Sequence, residues 1–437
     1  MATSSLFTRA PSPTLVKGKG VYIWDKDGKR YLDGSGGPLC VNVGYGVQEI
    51  NRAIKRQMDA VSFAYSGMFL SDSVVELSKR LADFCPGTLK HIFLCSGGSE
   101  ATEAACKMAR QYHLENGDKT RYKVIGRWQS YHGNTLGALS MSGHIGRRRR
   151  FVPMLLDFPH IPPAHCYRCW YGMNPDKCDL ECARELDTAI RANGPEYISA
   201  FIAEPVVGAT LGTVPGPKGY FQIIRETCDE HGVLFIADEV MTGVGRTGRN
   251  WGIQHWDVLP DIMTAAKGIS SGYMPLGAVV ASDKVQDAFK SPFAHGHTYG
   301  NHPLCAAAGA ACLEYVEKHR LVEKSAKNGK YLLKRLKELT SHPTVGEVRG
   351  LGLFAGIEFV RDKETREPLD PKLAFAQKVA KECWDRSLIV YPGVGTVDGT
   401  RGDHIQVGPP LCITRAEIDE LAATLEEGLT AAEKKAL

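Results

Sequence analysis

The chain has 437 residues, with 53 Lys and Arg against 49 Asp and Glu, a net charge of +4 and 43% hydrophobic residues. That is room for a large core or two domains, and the near-balance of charge gives no reason to invoke a nucleic-acid partner. No apolar run approaches the roughly 18 residues that would cross a bilayer. Thirteen cysteines, an odd number scattered over a long chain, argue against a disulfide scaffold.

In chain order, the stretch MATSSLFTRAPSPTLVKGKG has no hydrophobic signal core and is interrupted by proline, so a cytoplasmic protein is expected. GVYIWDKDGKRYLDG reads as a hairpin around a Lys-Asp-Gly turn. Strands are then expected at 91–98, 122–128, 197–206, 233–240, 262–268 and 276–282. Helices at 100–115, 218–231 and 303–318 fall between or after them. Several of these strands are apolar on both faces, as parallel strands covered by helices on each side must be, so the pattern predicts a doubly wound α/β fold. After about residue 320 the pattern changes to an α+β subdomain: a charged helix (320–340), VGEVRGLGLFAGIEFV, a helix (372–386), the runs LIVYPG and HIQVGPPL, and a last helix from 414. The division expected is 1–60 as an N-terminal segment joining the small domain, 61–320 as the large domain and 321–437 as the C-terminal small domain.

Two local features carry weaker expectations. The run Arg147 to Arg150 reads as a solvated loop face. In HCYRCWYGMNPDKCDLEC, Cys166, Cys169, Cys178 and Cys182 follow His165 with C-x2-C and C-x3-C spacings that suit zinc, but the loop between the pairs is short for a knuckle. Reduced thiols with no metal are the reading adopted.

In parallel α/β sheets ligands bind beyond the carboxyl ends of the strands, and three of those ends are unusual here. After HIFLC comes SGGSEATEAA, a glycine-rich turn opening a helix, whose free backbone N–H groups and serine hydroxyls suit a phosphate. Asp238 ends an apolar run, where a carboxylate is costly unless it meets a cation or strong donors. Lys267 emerges from IMTAAKG into a glycine-rich turn, a placement that fits a nucleophile. A phosphate cradle, a buried carboxylate and a strand-end lysine together meet the needs of pyridoxal 5′-phosphate. The lysine forms an imine with its aldehyde, the carboxylate keeps the pyridine nitrogen protonated, and the cradle holds the phosphate. GVGRTG (243–248) matches G-x-G-x-x-G, but it opens no obvious helix and no acidic residue follows at ribose distance, so a nicotinamide site is not expected.

YLDGSGG, CSGGSEATE, SYHGNT, AEPVVGATLG, IADEVMTGVGRTG, AAKGISSGYMPLG, HTYGNHPLCAAA and GDHIQVGPPLCIT span nearly the whole chain. With them the sequence resembles the class III (subgroup II, omega-type) aminotransferases among the fold-type-I pyridoxal-phosphate enzymes. The resemblance implies that Lys267 is the imine lysine and that Asp238 pairs with the pyridinium nitrogen. It places Val240 and Tyr131 on opposite faces of the ring and Gly98 and Ser99 at the phosphate. Thr298 would reach the phosphate of a partner subunit, and Glu204 would lie near the cofactor and a substrate-side arginine. It further implies a homodimer, or a tetramer built from it, with the active site at the interface. Amino transfer from an amine or omega-amino acid to pyruvate or 2-oxoglutarate, by a ping-pong mechanism, is the expected activity. A racemase or epimerase, an aminomutase or a decarboxylating transaminase of the same fold is the alternative.

The sequence departs from that family in three places. The cradle reads Ser96-Gly97-Gly98-Ser99, one hydroxyl short of the usual pattern. Leu39 stands where many relatives carry an aromatic residue, which argues against bulky aryl amines. The cysteine cluster has no counterpart in the general pattern. Arg401, just before GDHIQVGPPL, is the arginine nearest the position of the family's mobile carboxylate switch, and so the substrate-side candidate with Leu39 and Tyr131.

Overall fold

A computed structural model describes residues 13–436. Its central sheet runs, from edge to edge, Leu89–Cys95, Gly277–Ser282, Ile262–Ala265, Leu234–Asp238, Ile198–Ala203, Lys123–Arg127 and His160–Ile161. Side chains alternate between its faces as the strand period requires. Phe201, Phe235 and Ala237 pack on one face with Tyr220, Phe221 and Ile224 of helix Tyr220–His231. Ala200, Ile202, Leu234 and Ile236 pack on the other with Ala101, Ala104, Ala105 and Met108 of helix Gly98–Glu115. Both faces are covered, which is why these strands read as continuous apolar runs.

The expected elements are present with shifted ends, and one is oriented differently from the parallel pattern. Gly277–Ser282 runs antiparallel to both of its neighbours. The connection from Ala265 to Gly277 is too short for a helical crossover over the sheet, so the chain must turn back on itself. That return carries Lys267 and the glycine-rich turn. The helix expected at 100–115 begins earlier, at Gly98, and the one expected at 372–386 is confined to Phe375–Asp385 after a 3-10 turn at Pro371–Leu373. Helices Gln48–Ala60 and Asp72–Phe84 are additions to the pattern read from the sequence.

A second sheet in the C-terminal part orders Val345–Leu351, Phe354–Phe359, Asp403–Val407 and Tyr391–Val394, all antiparallel. The N-terminal hairpin of Tyr22–Asp25 and Arg30–Asp33 forms as read, and Arg30–Asp33 pairs in parallel with Leu388–Ile389, so the hairpin joins a strand of the C-terminal part in one sheet. Residues 1–12 of the N-terminal stretch lie outside the described residues. Among the described residues no helix is long and apolar enough to cross a membrane.

Candidate active site

Asp238 and Lys267 come from neighbouring parallel strands, Leu234–Asp238 and Ile262–Ala265, in which Asp238 lies opposite Thr264. Both residues, with Ser96, Gly97, Gly98, Ser99, Tyr131, Glu204 and Val240, open onto one cavity of about 420 Å³ beyond the strand ends. Lys267 holds φ +46°, the left-handed region, which costs a non-glycine residue on the order of 1 kcal/mol. The residue is turned out of the strand at that cost and its amine faces the cavity. Burial pulls the Lys267 ammonium down to about 8, against the opposing attraction of Cys40 and Asp238. A substantial fraction is therefore the neutral, nucleophilic amine near physiological pH.

Asp238 is 3% exposed, and its carboxylate is satisfied by three donors. Oδ1 accepts from Val240 N at 3.1 Å and from Thr264 Oγ1 at 3.2 Å, and Oδ2 meets His132 Nδ1 at 2.7 Å. His132 is a site residue that motif reading passed over. It stands beside Tyr131 in YHG, and a histidine following an aromatic next to a glycine gave no signal of its own.

The glycine-rich turn ends where helix Gly98–Glu115 begins. A Cβ on Gly98 would stand 3.1 Å from Val240 Cγ1, so the backbone approaches the cavity wall more closely than a side chain would allow. Ser99 Oγ accepts from Asn134 N at 3.1 Å and keeps its own proton for an anion. Glu100 accepts the Ser96 N–H at 2.7 Å and braces the turn. Together with free N–H groups at a helix start, this arrangement suits an anion.

Glu204, expected near the cofactor and a substrate-side arginine, is held by the buried Arg127. Arg127, 1% exposed at the end of Lys123–Arg127, donates to Glu204 Oε2 at 3.1 Å and to the Glu204 carbonyl at 2.6 Å. Glu204 Oε1 accepts the Tyr131 N–H at 2.9 Å. Its visible work is to fix the backbone under Tyr131. The arginine closing the apolar run YKVIGR was a legible sign of a buried ion pair.

Two predicted residues, Leu39 and Arg401, are not brought to the cavity. Leu39 is buried, at φ +58°, and packs against Gly408, while its neighbour Cys40 lines the wall. The left-handed turn of this glycine-rich segment exchanges the two side chains. Arg401 lies in the loop 395–402 with a side chain 54% exposed, and its Nε is 2.7 Å from Asp398 Oδ2. Thr298 is exposed, away from the cavity of its own chain.

The run expected to be a solvated basic face is not one. Arg148 donates to the carbonyls of Leu139, Ser140 and Ser142, and the Arg147 guanidinium lies 4.4 Å above the Tyr131 ring centroid. Only Arg149 and Arg150 are exposed. GVGRTG opens no helix and serves as a joint. Gly248, at φ +86°, abuts Ala326 of helix Leu321–Lys337, and the buried Arg246 donates to Asn42, Leu353 and Pro409.

Cys166, Cys169, Cys178 and Cys182 are free thiols around one cavity of about 230 Å³, with His165. Zinc–sulfur bonds of about 2.3 Å require coordinating sulfurs within about 4 Å of one another. Among the described residues no three of these sulfurs lie within 4.8 Å of one another. Metal analysis of protein purified under reducing conditions should find well below one zinc per chain. A full equivalent, lost in both Cys166→Ser and Cys178→Ser, would show the opposite.

A strand-end lysine, a saturated buried carboxylate and a glycine-rich helix start surround one cavity beyond the strand ends of a fold-type-I α/β domain. The chain belongs to the class III aminotransferases: the family model described as Aminotransferase class-III matches residues 8–429. The aminotransferase YodT of Bacillus subtilis, itself uncharacterised, is 42% identical over 97% of this chain and 96% of its own length. The putrescine–pyruvate aminotransferase of Pseudomonas aeruginosa is 38% identical over 93% of this chain and 88% of its own. Among solved structures, a thermostable (S)-enantioselective omega-transaminase from Thermomicrobium roseum aligns with a TM-score of 0.90 at 38% identity, covering 100% of this chain and 96% of that one. An aminotransferase from Bacillus anthracis aligns at 0.92 with 36% identity over 98% and 96% of the two chains. The protein is a transaminase, of a family that works with pyridoxal phosphate.

Proposed function

We propose that the protein moves an amino group from a primary amine or omega-amino acid to a 2-oxo acid, in two half-reactions that share the 420 Å³ cavity. The observation that carries this reading is the convergence of Lys267 and Asp238 on a cavity that also holds an anion cradle. The cradle and cavity fit pyridoxal 5′-phosphate: Gly98 leaves the cavity wall open and Ser99 has a proton to donate. When bound, that cofactor supplies an aldehyde that condenses with amines and a ring that accepts the electrons released when a neighbouring C–H bond breaks.

The remaining work falls to the chain. Lys267 offers a neutral amine, first as nucleophile and then as the base that takes and returns a proton at the substrate carbon. Asp238 would keep a proton on the ring nitrogen, with its carboxylate held by its three donors. Gly98 and Ser99 would hold the phosphate by N–H and hydroxyl donation, and Val240 and Tyr131 would confine the ring. Glu204 keeps the Tyr131 backbone in register through Arg127.

Pyruvate is the acceptor to test first, on the strength of the putrescine–pyruvate relative. A screen of amine donors against pyruvate and 2-oxoglutarate should show product only when an oxo acid is supplied in stoichiometric amount. Turnover of an amine with no acceptor would favour the racemase or mutase alternative. We also assign a homodimer. Phe63, Tyr65, Met68, Phe69 and Leu70 are exposed along one short segment, the Phe63 ring stands 6.3 Å from that of Tyr299, and Thr298 adjoins them. So much contiguous apolar surface suits a partner subunit. Sedimentation should return twice the mass of one chain, and a monomer at micromolar concentration would remove the assignment.

A further inference from the structure

An oxo acid brings a carboxylate into the site, and the cavity wall itself offers little to meet it. Asp238 and Glu204 repel it, and Lys267 is committed to the reacting centre. A cation beside the wall is Arg147. Its guanidinium lies over the ring of Tyr131, which lines the cavity, and its charge is felt at both the Tyr131 hydroxyl and the Lys267 amine. Among the described residues no carboxylate stands within 4.0 Å of Arg147, whereas Arg401 is paired with Asp398 on the surface.

The surroundings hold Arg147 in place without neutralising it. Arg148, next in sequence, clamps the Ile145–Arg148 turn to three carbonyls of the preceding segment. Ile145 packs under the 395–402 loop at Gly399, and that loop is tied back by Gln129 Nε2 donating to the Gly395 carbonyl at 2.5 Å. The turn is thus anchored on both sides while the Arg147 head group lies against Tyr131, over its ring and beside its hydroxyl.

We propose that Arg147 is the specificity-determining cation of this site, and that it receives the α-carboxylate of the 2-oxo acid. This rests on the aminotransferase reading above. With no carboxylate partner of its own, the Arg147 guanidinium has N–H donors to turn to a substrate carboxylate, two of them in parallel. The resting contact is itself the solution to dual specificity. When the donor has no carboxylate, the cation stays on Tyr131 and no ion pair has to be broken or left bare. Recruiting Arg401 instead would require separating it from Asp398 and moving it in from solvent.

The test uses the cofactor-loaded enzyme with pyruvate as acceptor and a short alkylamine, which has no carboxylate, as donor. Each half-reaction is followed separately. In Arg147→Met the KM for pyruvate should rise about ten- to a hundredfold, the loss of one charge-assisted pair, with kcat at saturation within about threefold. The alkylamine half-reaction should stay within about twofold. Arg147→Lys should recover part of the pyruvate affinity, and Arg401→Ala should leave it within about twofold. Weaker competitive inhibition by propionate in Arg147→Met gives a reading that needs no turnover, so it still decides the matter if the wild type transfers no amino group to pyruvate. Equal damage to both half-reactions would make Arg147 a support for Tyr131 only and overturn the proposal. An unchanged pyruvate KM, or a loss seen in Arg401→Ala instead, would overturn it as well. If Arg147→Met loses the cofactor absorbance, Arg147→Gln, which keeps length and polarity, carries the same comparison.

Discussion

Lys267→Ala lowers turnover by at least about a thousandfold, while the variant still binds pyridoxal phosphate without a covalent link. The two effects separate because different residues supply them. The phosphate cradle at Gly98 and Ser99 and the carboxylate of Asp238 remain, but the only lysine among the described residues that faces the cavity is gone. Borohydride reduction of the wild-type enzyme followed by peptide mapping should place the cofactor on Lys267, and a label on another lysine would refute the assignment. The pH dependence follows from the burial that pulls Lys267 from its ordinary 10.5 to about 8. Only the neutral amine attacks a carbonyl, so the rate of cofactor attachment to the cofactor-free protein should rise with pH and level off above about 8. An ordinary exposed lysine would keep rising beyond pH 10. A plateau near 10.5 would mean that the cavity does not desolvate the amine.

Asp238→Asn lowers kcat by about ten- to a thousandfold despite the near-identical size of the two side chains. A nearby carboxylate shifts a cation's equilibrium by roughly one to three pKa units, and an amide contributes none of that. The substitution also disturbs the 2.7 Å contact with His132, whose partner becomes a neutral oxygen or an N–H. His132→Ala should cost less, about tenfold, because it removes a neighbour of the carboxylate and leaves its charge. Steady-state rates of the three proteins with one donor–acceptor pair measure both effects. Near-full activity in Asp238→Asn would mean that the ring nitrogen does not face this carboxylate.

The two predictions differ in what each demands of the fold. Lys267 must be both exposed to the cavity and shielded from bulk water, which the left-handed turn at the head of Lys267–Ile269 achieves. Asp238 must stay charged inside an apolar sheet, which needs donors from three different segments: its own strand end, Thr264 on the next strand, and His132 from the loop after Lys123–Arg127. Only the first of those donors lies within a few residues of Asp238 in sequence, so the survival of the charge is a property of the assembled sheet.

Much of the site is legible in the sequence alone, because parallel sheets align their strand ends in a row and polar residues there stand out against apolar runs. Asp238 closing LFIAD, Lys267 after IMTAA and the glycine turn after HIFLC can be read in this way, and so can the apolar cores of the strands themselves. Orientation and pairing over long separations were decided by the tertiary structure. Whether Leu39 or Cys40 faces the cavity depends on a left-handed backbone turn seated against Gly408, nearly 370 residues away. Arg127 and Glu204 meet across two strands, His132 reaches Asp238 over 106 positions, and Gly277–Ser282 runs antiparallel because its connection is too short to cross the sheet. Arg147 and Arg401 look alike as loop arginines, yet one rests on an aromatic ring at the cavity and the other on a surface aspartate. Hydrophobic period and backbone breaks are local and survive in the linear order of residues. The partner of a charge is chosen by packing, and packing belongs to the folded chain alone.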